Sequence, residues 1–491
     1  MVSATSPSSA ARPIPYLQYK NAIRRIDRSS LLKACGIASA RIEADGLTPG
    51  ANQPFSHWAI VDIARVALAH AGPHPIVADQ ALLGYLCSLH LNIDDPVMHE
   101  EPTSSVGVIL RITYDQFPWQ LDVLSTFARV LNLFGPEASW PSGKQPSVMT
   151  GGWFLRLFGV DIETYVAAIF VAFSGAASNG GSFDQGWLEN DAFRRFGERF
   201  DVDAVRGVID RHLTIGLTEF KDANAEAESR VPPSLRKYAF NPLRDKPFIV
   251  GILPQPFAPN VRAVLDKISP LSIFYSGIST FGNGFSTDLG HVFEAYVGNQ
   301  LRLLGFDNVV PEVKYHNGHD LVDSIDWFVL LEDFLLLIEC KSTRPDESMR
   351  LGALDLAKSM QRQIGKGIDQ INKTYSFLTE IASQETRIEA SKKVIGIVVT
   401  LEDHFAASSI VRPDLTTADV PTTVLSVREL EQLMTLEQGD LADLLSASIA
   451  ECGSDNVLHV RIDDATPIAP NPLLQSSFDS SAVMQMIDAW R

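Results

Sequence analysis

Cysteine is scarce in this chain of 491 residues. The four cysteines, Cys35, Cys87, Cys340 and Cys452, lie far apart and form no CxxC pair. This spacing excludes a disulfide framework and indicates free thiols in a reducing compartment. We therefore expect a cytoplasmic protein.

Long hydrophobic runs are also missing. The longest apolar run of the N-terminal half, 165–177, is shorter than the ~20 residues that a membrane-spanning helix needs, and favours a buried helix. Residues 1–15 are rich in Ser, Ala and Pro and lack the apolar core of a secretory signal. We expect a disordered tail there and no association with a membrane.

Three familiar site motifs are absent or incomplete. No GxxxxGK[ST] loop occurs, so the sequence gives no sign of an ATP motor, and no GxSxG nucleophile elbow is present. His316 and His319 have the spacing of two zinc ligands but no second pair, which favours a loop.

Positive charge is scarce in the C-terminal half. The formal net charge is −18. Residues 1–280 hold 25 basic and 27 acidic side chains, whereas residues 281–491 hold 16 and 32. An acidic half repels a polyanion on average, so binding of nucleic acid would require a local basic surface.

The hydrophobic pattern divides the chain into a helical part and an α/β part. Apolar residues recur at steps of three and four within 16–280, most clearly at 57–72, 79–91 and 119–135, which predicts a helical domain. The pattern then changes, and we expect an α/β domain at 281–445 and a C-terminal extension at 446–491.

The expected α/β domain has a mixed central sheet. The predicted elements are a helix at 286–305, strands at 308–315, 325–331, 334–341, 393–401 and 422–427, and a long helix at 351–382.

The most apolar stretch of the chain carries charge. Residues 324–343 read SIDWFVLLEDFLLLIECKST and include Asp326, Glu339 and Lys341. Burying such groups costs several kcal/mol unless they are paired or bind a metal.

A hairpin would bring these charges together. If 325–331 and 334–341 are antiparallel strands joined by a tight turn at 332–333, Asp326 lies opposite Glu339. Lys341 is two residues beyond Glu339 and shares its face, whereas Cys340 is expected to point into apolar packing.

Two carboxylates at this separation repel each other unless one is protonated or a cation binds. Oxygen ligands of this kind suit Mg²⁺ or Mn²⁺. The alternative is a structural salt bridge between Lys341 and one of the carboxylates, since such spacing is common by chance.

Residues 286–430 resemble the PD-(D/E)XK nuclease superfamily, which has the restriction-endonuclease-like fold. The resemblance is carried by GHVFEAYVGNQLRLLGF, SIDWFVLL, LLLIECKS, a long helix and VLSVRELEQL. It implies that Asp326 and Glu339 hold the metal, that Lys341 assists catalysis, and that Glu294 on the preceding helix is a further metal ligand. Ile325 stands where the name-giving proline would be. For Glu294 the alternative is a solvated helix glutamate.

A basic stripe on the predicted long helix offers the local positive surface. Lys358, Arg362, Lys366 and Gln370 recur every four residues, and Arg344 adds charge nearby. We expect these residues to bind the phosphate backbone of a nucleic acid. A solvated helix face is the alternative.

The sequence thus predicts a nuclease that depends on Mg²⁺ (or Mn²⁺) and cuts phosphodiester bonds. DNA is the expected substrate only because of the breadth of the superfamily that residues 286–430 resemble. Restriction, phage defence and DNA repair are the expected settings, with a protein partner on the helical domain or a homodimer as further expectations. The competing hypothesis is an inactive nuclease fold that only binds nucleic acid or protein.

Overall fold

The computed structural model of the protein describes residues 12–45, 55–95, 104–136, 138–190, 194–352, 356–404, 416–462 and 469–485. Most of the tail expected at 1–15 lies outside these ranges. Of its described residues, Ile14 forms a parallel bridge with Ile93.

The chain divides into two compact units. The first comprises Met1–Met98, Asp115–Leu121 and Thr164–Lys267, and the second comprises His99–Tyr114, Asp122–Glu163 and Ile268–Arg491. Stretches that precede the expected boundary at residue 280 thus belong to the same unit as the sheet described below.

The first unit is mainly helical, and its predicted helices are confirmed. The helix His57–His70 is buried on nearly all sides, and its apolar residues belong to this unit's core cluster. Asp79 caps the helix Gln80–Leu91 by accepting from the Leu82 N–H. The only strands among the described residues of this unit are β1 (Thr214–Gly216) and β2 (Phe248–Val250), which pair in parallel. The remaining helices are Tyr16–Ile23, Arg28–Asp45, Arg194–Arg199, Val202–Val208, Leu217–Ser229 and Arg262–Leu265.

The second unit combines helices with a sheet. Two helices, Ser104–Gln116 and Ile162–Ser178, contribute residues to both units. The others are Val123–Phe134, Trp153–Phe158, Pro270–Phe281, Asn283–Leu301, Glu347–Leu351, Leu356–Met360, Lys366–Ser376, Leu378–Gln384, Val427–Leu433, Gln438–Ala450 and Pro472–Ser480.

The predicted mixed sheet is confirmed. Its five strands lie in the order β3-β6-β7-β8-β9, with antiparallel pairing from β3 to β7 and parallel pairing from β7 to β9. A separate hairpin is formed by β4 and β5. The strands are β3 (Val309–Pro311), β4 (Lys314–Asn317), β5 (Asp320–Asp323), β6 (Trp327–Leu330), β7 (Phe334–Lys341), β8 (Lys393–Thr400) and β9 (Thr422–Ser426).

The register of the β6–β7 hairpin is the predicted one. Trp327 pairs with Ile338 and Leu330 with Leu335. The Leu331 N–H donates to the Phe334 carbonyl at 3.0 Å, which closes a tight turn with residues 332–333 at its exposed tip. Because side chains alternate along a strand, this register fixes which β7 residues face each side of the sheet.

Helices cover both faces of the hairpin. On one face, the indole Nε1 of Trp327 donates to the Glu294 carbonyl at 3.0 Å. A Cβ atom at Gly298 would lie only 2.3 Å from Trp327 Cζ2, so glycine permits this close approach. On the other face, Ile364 and Ile368 pack in one core cluster with Phe328 and Leu337.

A buried ion pair joins elements that are distant in sequence. The Arg129 guanidinium donates to both carboxylate oxygens of Glu431, at 2.7 and 2.6 Å, and the Tyr296 hydroxyl donates to the same carboxylate at 2.6 Å. This network connects the helices Val123–Phe134, Asn283–Leu301 and Val427–Leu433.

Two predicted elements were wrong in extent. The long helix expected at 351–382 is interrupted at Gly352, widens into a π-helical turn at Gln361–Gly365 and breaks again at Phe377. The strand expected at 308–315 is divided into β3 and β4. Among the described helices, none combines the length and the apolar character needed to traverse a lipid bilayer.

Candidate metal and nucleic-acid site

The candidate site lies at the carboxyl edge of the central sheet. Strands β7, β8 and β9 are parallel, so their C-terminal ends meet at one edge. Glu339 and Lys341 form the end of β7, and Asp326 directly precedes β6. Glu294 comes from the helix Asn283–Leu301, which the Trp327 indole ties to the hairpin.

Asp326 is half-buried and bonded to the neighbouring strand. Its Oδ2 accepts from the Cys340 N–H at 2.7 Å. Burial raises the pKa of Asp326, and this hydrogen bond and the Lys341 charge oppose that rise. Cys340, expected to point into apolar packing, is half-buried.

Glu339 is the most deeply buried carboxylate of the site, with only 2% of its surface exposed. Its Oε1 accepts from Lys341 Nζ at 2.6 Å, while Oε2 is buried without a hydrogen-bond partner among the described residues. Burial, together with the charge of Asp326, raises the pKa of Glu339 to about 8, against the opposing effect of Lys341. This carboxylate thus has a free oxygen and a strong preference for a nearby cation.

The Lys341 ammonium lies between Glu339 and the helix Lys366–Ser376. It also donates to Gln370 Oε1 at 2.5 Å. Gly367 leaves room for it, since a Cβ there would lie 3.4 Å from Lys341 Cε and 3.0 Å from Val398 Cγ1. The salt bridge named as the alternative is therefore present, within a cluster that also holds two further carboxylates.

Glu294 is electrostatically part of this cluster. Burial and the charges of Asp326 and Glu312 raise its pKa to about 7. Glu294 in turn raises the pKa of Glu339. The half-buried Glu294 side chain is thus more than a solvated helix glutamate.

The donor set suits a hard divalent cation by its chemistry. All three side chains offer oxygen, and their mutual repulsion would be relieved by positive charge. Within the ranges that the structure describes, however, no three His, Cys, Asp or Glu side chains are assembled closely enough to hold a metal ion. Glu339 Oε2 is the donor that the protein leaves unpartnered.

The predicted nucleic-acid-binding residues have different surroundings. Lys358, Arg362, Lys366 and Gln370 are all exposed, as a binding stripe requires. Gln370 joins the site through Lys341, and Arg362 pairs with Asp346 at 2.7 Å, also hydrogen-bonding Ser359.

Arg344 is half-buried and packs on aromatic rings. Its Cζ lies 3.8 Å from the centre of the Phe274 ring and 5.2 Å from that of Tyr275. Its contact with a nucleic acid stays a prediction.

Two charged residues at the site were not found from the sequence. Glu312 follows β3, and its pKa is raised by burial and by the charges of Asp323 and Asp326. Lys144 lowers the pKa of Glu294, Glu312 and Asp326. Glu312 could have been noticed as an acid between two strands, whereas Lys144 lies more than a hundred residues before the site and carries no sequence signal.

Comparison with known proteins finds no counterpart for this arrangement. No family model matches the chain, and searches of curated proteins and of solved structures give no match. The functional assignment therefore depends on the residues and their geometry.

Proposed function

We propose that this protein is a metal-dependent nuclease of the restriction-endonuclease-like fold, acting on DNA in the cytoplasm. The observation that carries the proposal is the buried carboxylate of Glu339. It has one unpartnered oxygen and lies beside Asp326, Glu294 and a lysine at the end of a central strand. All four cysteines are free thiols, which supports a reducing compartment.

In this proposal Asp326, Glu339 and Glu294 hold Mg²⁺ or Mn²⁺. Such an ion lowers the pKa of a bound water and stabilises the charge that develops on a phosphate during hydrolysis. Lys341 is held by Glu339 and Gln370, so its ammonium is fixed in direction and can orient the attacking water or neutralise the phosphate. The proposed contacts to the DNA backbone are the exposed residues Lys358, Arg362, Lys366 and Gln370, together with the half-buried Arg344.

The test is cleavage of plasmid, single-stranded DNA and RNA by the purified chain in Mg²⁺ and in Mn²⁺. We expect Asp326→Ala and Lys341→Ala to abolish metal-dependent cleavage while circular dichroism shows a folded protein. Asp333→Ala, in the exposed turn of the same hairpin, is the matched control and should cut normally. Full activity of both site variants would refute the proposal.

A second candidate is a nuclease-like module that binds without cutting. It is favoured by the lack of an assembled three-ligand metal group within the described part of the chain and by the 16 basic against 32 acidic residues of 281–491. Calorimetric titration with Mn²⁺ separates the two. The nuclease should bind the ion and lose it on Glu339→Ala, whereas the module should bind none.

A further inference from the structure

A segment from well before the hairpin is fixed against the site helix Asn283–Leu301. The Asp288 carboxylate accepts from the backbone N–H groups of Ser147, Val148 and Met149, at 2.9, 2.7 and 2.8 Å. The Ser147 hydroxyl donates to the same carboxylate at 2.9 Å. These bonds lower the pKa of Asp288, so its carboxylate stays ionised and continues to accept hydrogen bonds from the segment.

The same segment is held at two further points. Upstream, the Trp140 and His291 rings lie 6.1 Å apart, and Asn299 donates to the Ser139 hydroxyl at 3.1 Å. Downstream, the Arg156 guanidinium donates to the carbonyls of Val148 at 2.8 Å and Gly151 at 3.0 Å. Residues 139–151 are thus anchored on both sides of Lys144.

Lys144 lies in a turn between these anchors, on a segment that is bonded along the helix carrying Glu294. Its N–H donates to the Pro141 carbonyl at 3.2 Å, and its side chain is exposed. It is close enough to Glu294, Glu312 and Asp326 to act on all three carboxylates. Among the described residues, no carboxylate lies within ion-pair distance of its ammonium, whereas Lys341 is already bonded to Glu339.

We infer that Lys144 binds a phosphate of the DNA beside the one that is cut, and that Asp288 is the residue that positions it. The inference rests on the proposed nuclease function. A cluster of carboxylates repels a polyanion, and an exposed ammonium beside it provides the attraction that lets the backbone approach. Lys341 and Lys144 then provide positive charge from two separate parts of the chain.

The experiment measures binding rather than cleavage. Fluorescence anisotropy with a labelled DNA duplex in Ca²⁺ gives the observed affinity at several salt concentrations. Each lost phosphate contact reduces the slope of log affinity against log salt by about 0.9. We expect this reduction, with weaker binding, for Lys144→Ala and near-native behaviour for Lys144→Arg. Lys373→Ala removes an exposed lysine of the same unit and should keep the native slope.

Asp288 is tested by a double-variant cycle. Asp288→Asn replaces one of the two oxygens that accept backbone N–H groups by an amide nitrogen that cannot accept, so the segment should loosen and the slope should fall as in Lys144→Ala. If Asp288 acts through Lys144, the double variant has the same slope as each single variant. Three results would each overturn the inference. They are a native slope in Lys144→Ala, a slope reduction in the double variant equal to the sum of the two single reductions, and no duplex binding by the native chain.

Cleavage assays distinguish this inference from the proposed function. Duplex binding that depends on Lys144 without any cleavage would leave the inference standing and refute the nuclease. If the protein cleaves DNA but Lys144→Ala leaves the slope of log affinity against log salt unchanged, the nuclease proposal stands and the inference about Lys144 is refuted.

Discussion

Replacement of Glu339 by glutamine should stabilise the metal-free protein at high pH. Because the pKa of Glu339 in the folded state is about 8, against an ordinary value of 4.5, the folded protein holds a proton that the unfolded chain releases. The free energy of unfolding therefore falls as the pH rises from about 4.5 to about 8, and changes no further from this source above that range. The glutamine side chain of the variant cannot ionise, so the free energy of unfolding of the variant does not fall in this way.

The magnitude follows from the two pKa values. The gap between 4.5 and about 8 is equivalent to about 5 kcal/mol, at about 1.4 kcal/mol per pKa unit. Lys341 loses an ionised partner in the variant, which offsets part of this gain. We therefore expect the free energy of unfolding of Glu339→Gln to be about 2 kcal/mol above that of the native protein at pH 9. Near pH 4.5 the two free energies should be equal.

Urea denaturation in EDTA at pH 5, 7 and 9 measures this difference. Glu380→Gln, at an exposed helix position, is the matched control and should show no pH-dependent gain. Addition of Mn²⁺ should reverse the order, because only the native site retains the charged ligand. Two results would refute the account of Glu339 as a buried acid with a raised pKa. One is a variant that is less stable than the native protein at pH 9, and the other is a stability difference between the two proteins that is the same at pH 5 and pH 9.

Two further predictions concern the frame around the site. Glu431→Ala should destabilise the protein by about 3–5 kcal/mol in urea denaturation, because it leaves the Arg129 guanidinium buried without its partner. The loss should be smaller when Arg129→Met is combined with it, and strictly additive losses would contradict the coupling. Gly298→Ala should cost about 1–3 kcal/mol and reduce cleavage, since the added methyl collides with Trp327. Gly439→Ala, which meets no neighbour within 4 Å on another helix, is its control and should be neutral or slightly stabilising, and equal effects of the two substitutions would argue against the Trp327 contact.

The hairpin could be predicted because its information is local. Alternating side chains, a short turn and two apolar strands determined the register, and that register places Asp326 next to the end of β7. The face shared by Glu339 and Lys341 follows from the same periodicity of two, and their 2.6 Å bond agrees with it.

Other features depend on contacts between distant parts of the chain. The π-helical turn at Gln361–Gly365 changes the spacing of a helix whose apolar residues suggest a regular one. The approach of Lys144 requires the bonds that Asp288 makes to a segment about 140 residues earlier. No periodicity in a single sequence encodes such a contact.

The Arg129–Glu431 pair limits how the gene can be divided. A fragment that begins at residue 281 retains Glu431 as an uncompensated buried anion and strips Asp288 of its three backbone donors. Recombination between genes could therefore not transfer the fragment from residue 281 onward, which contains the central sheet, as an independently folding unit. The stretch 122–163 would have to be inherited with it.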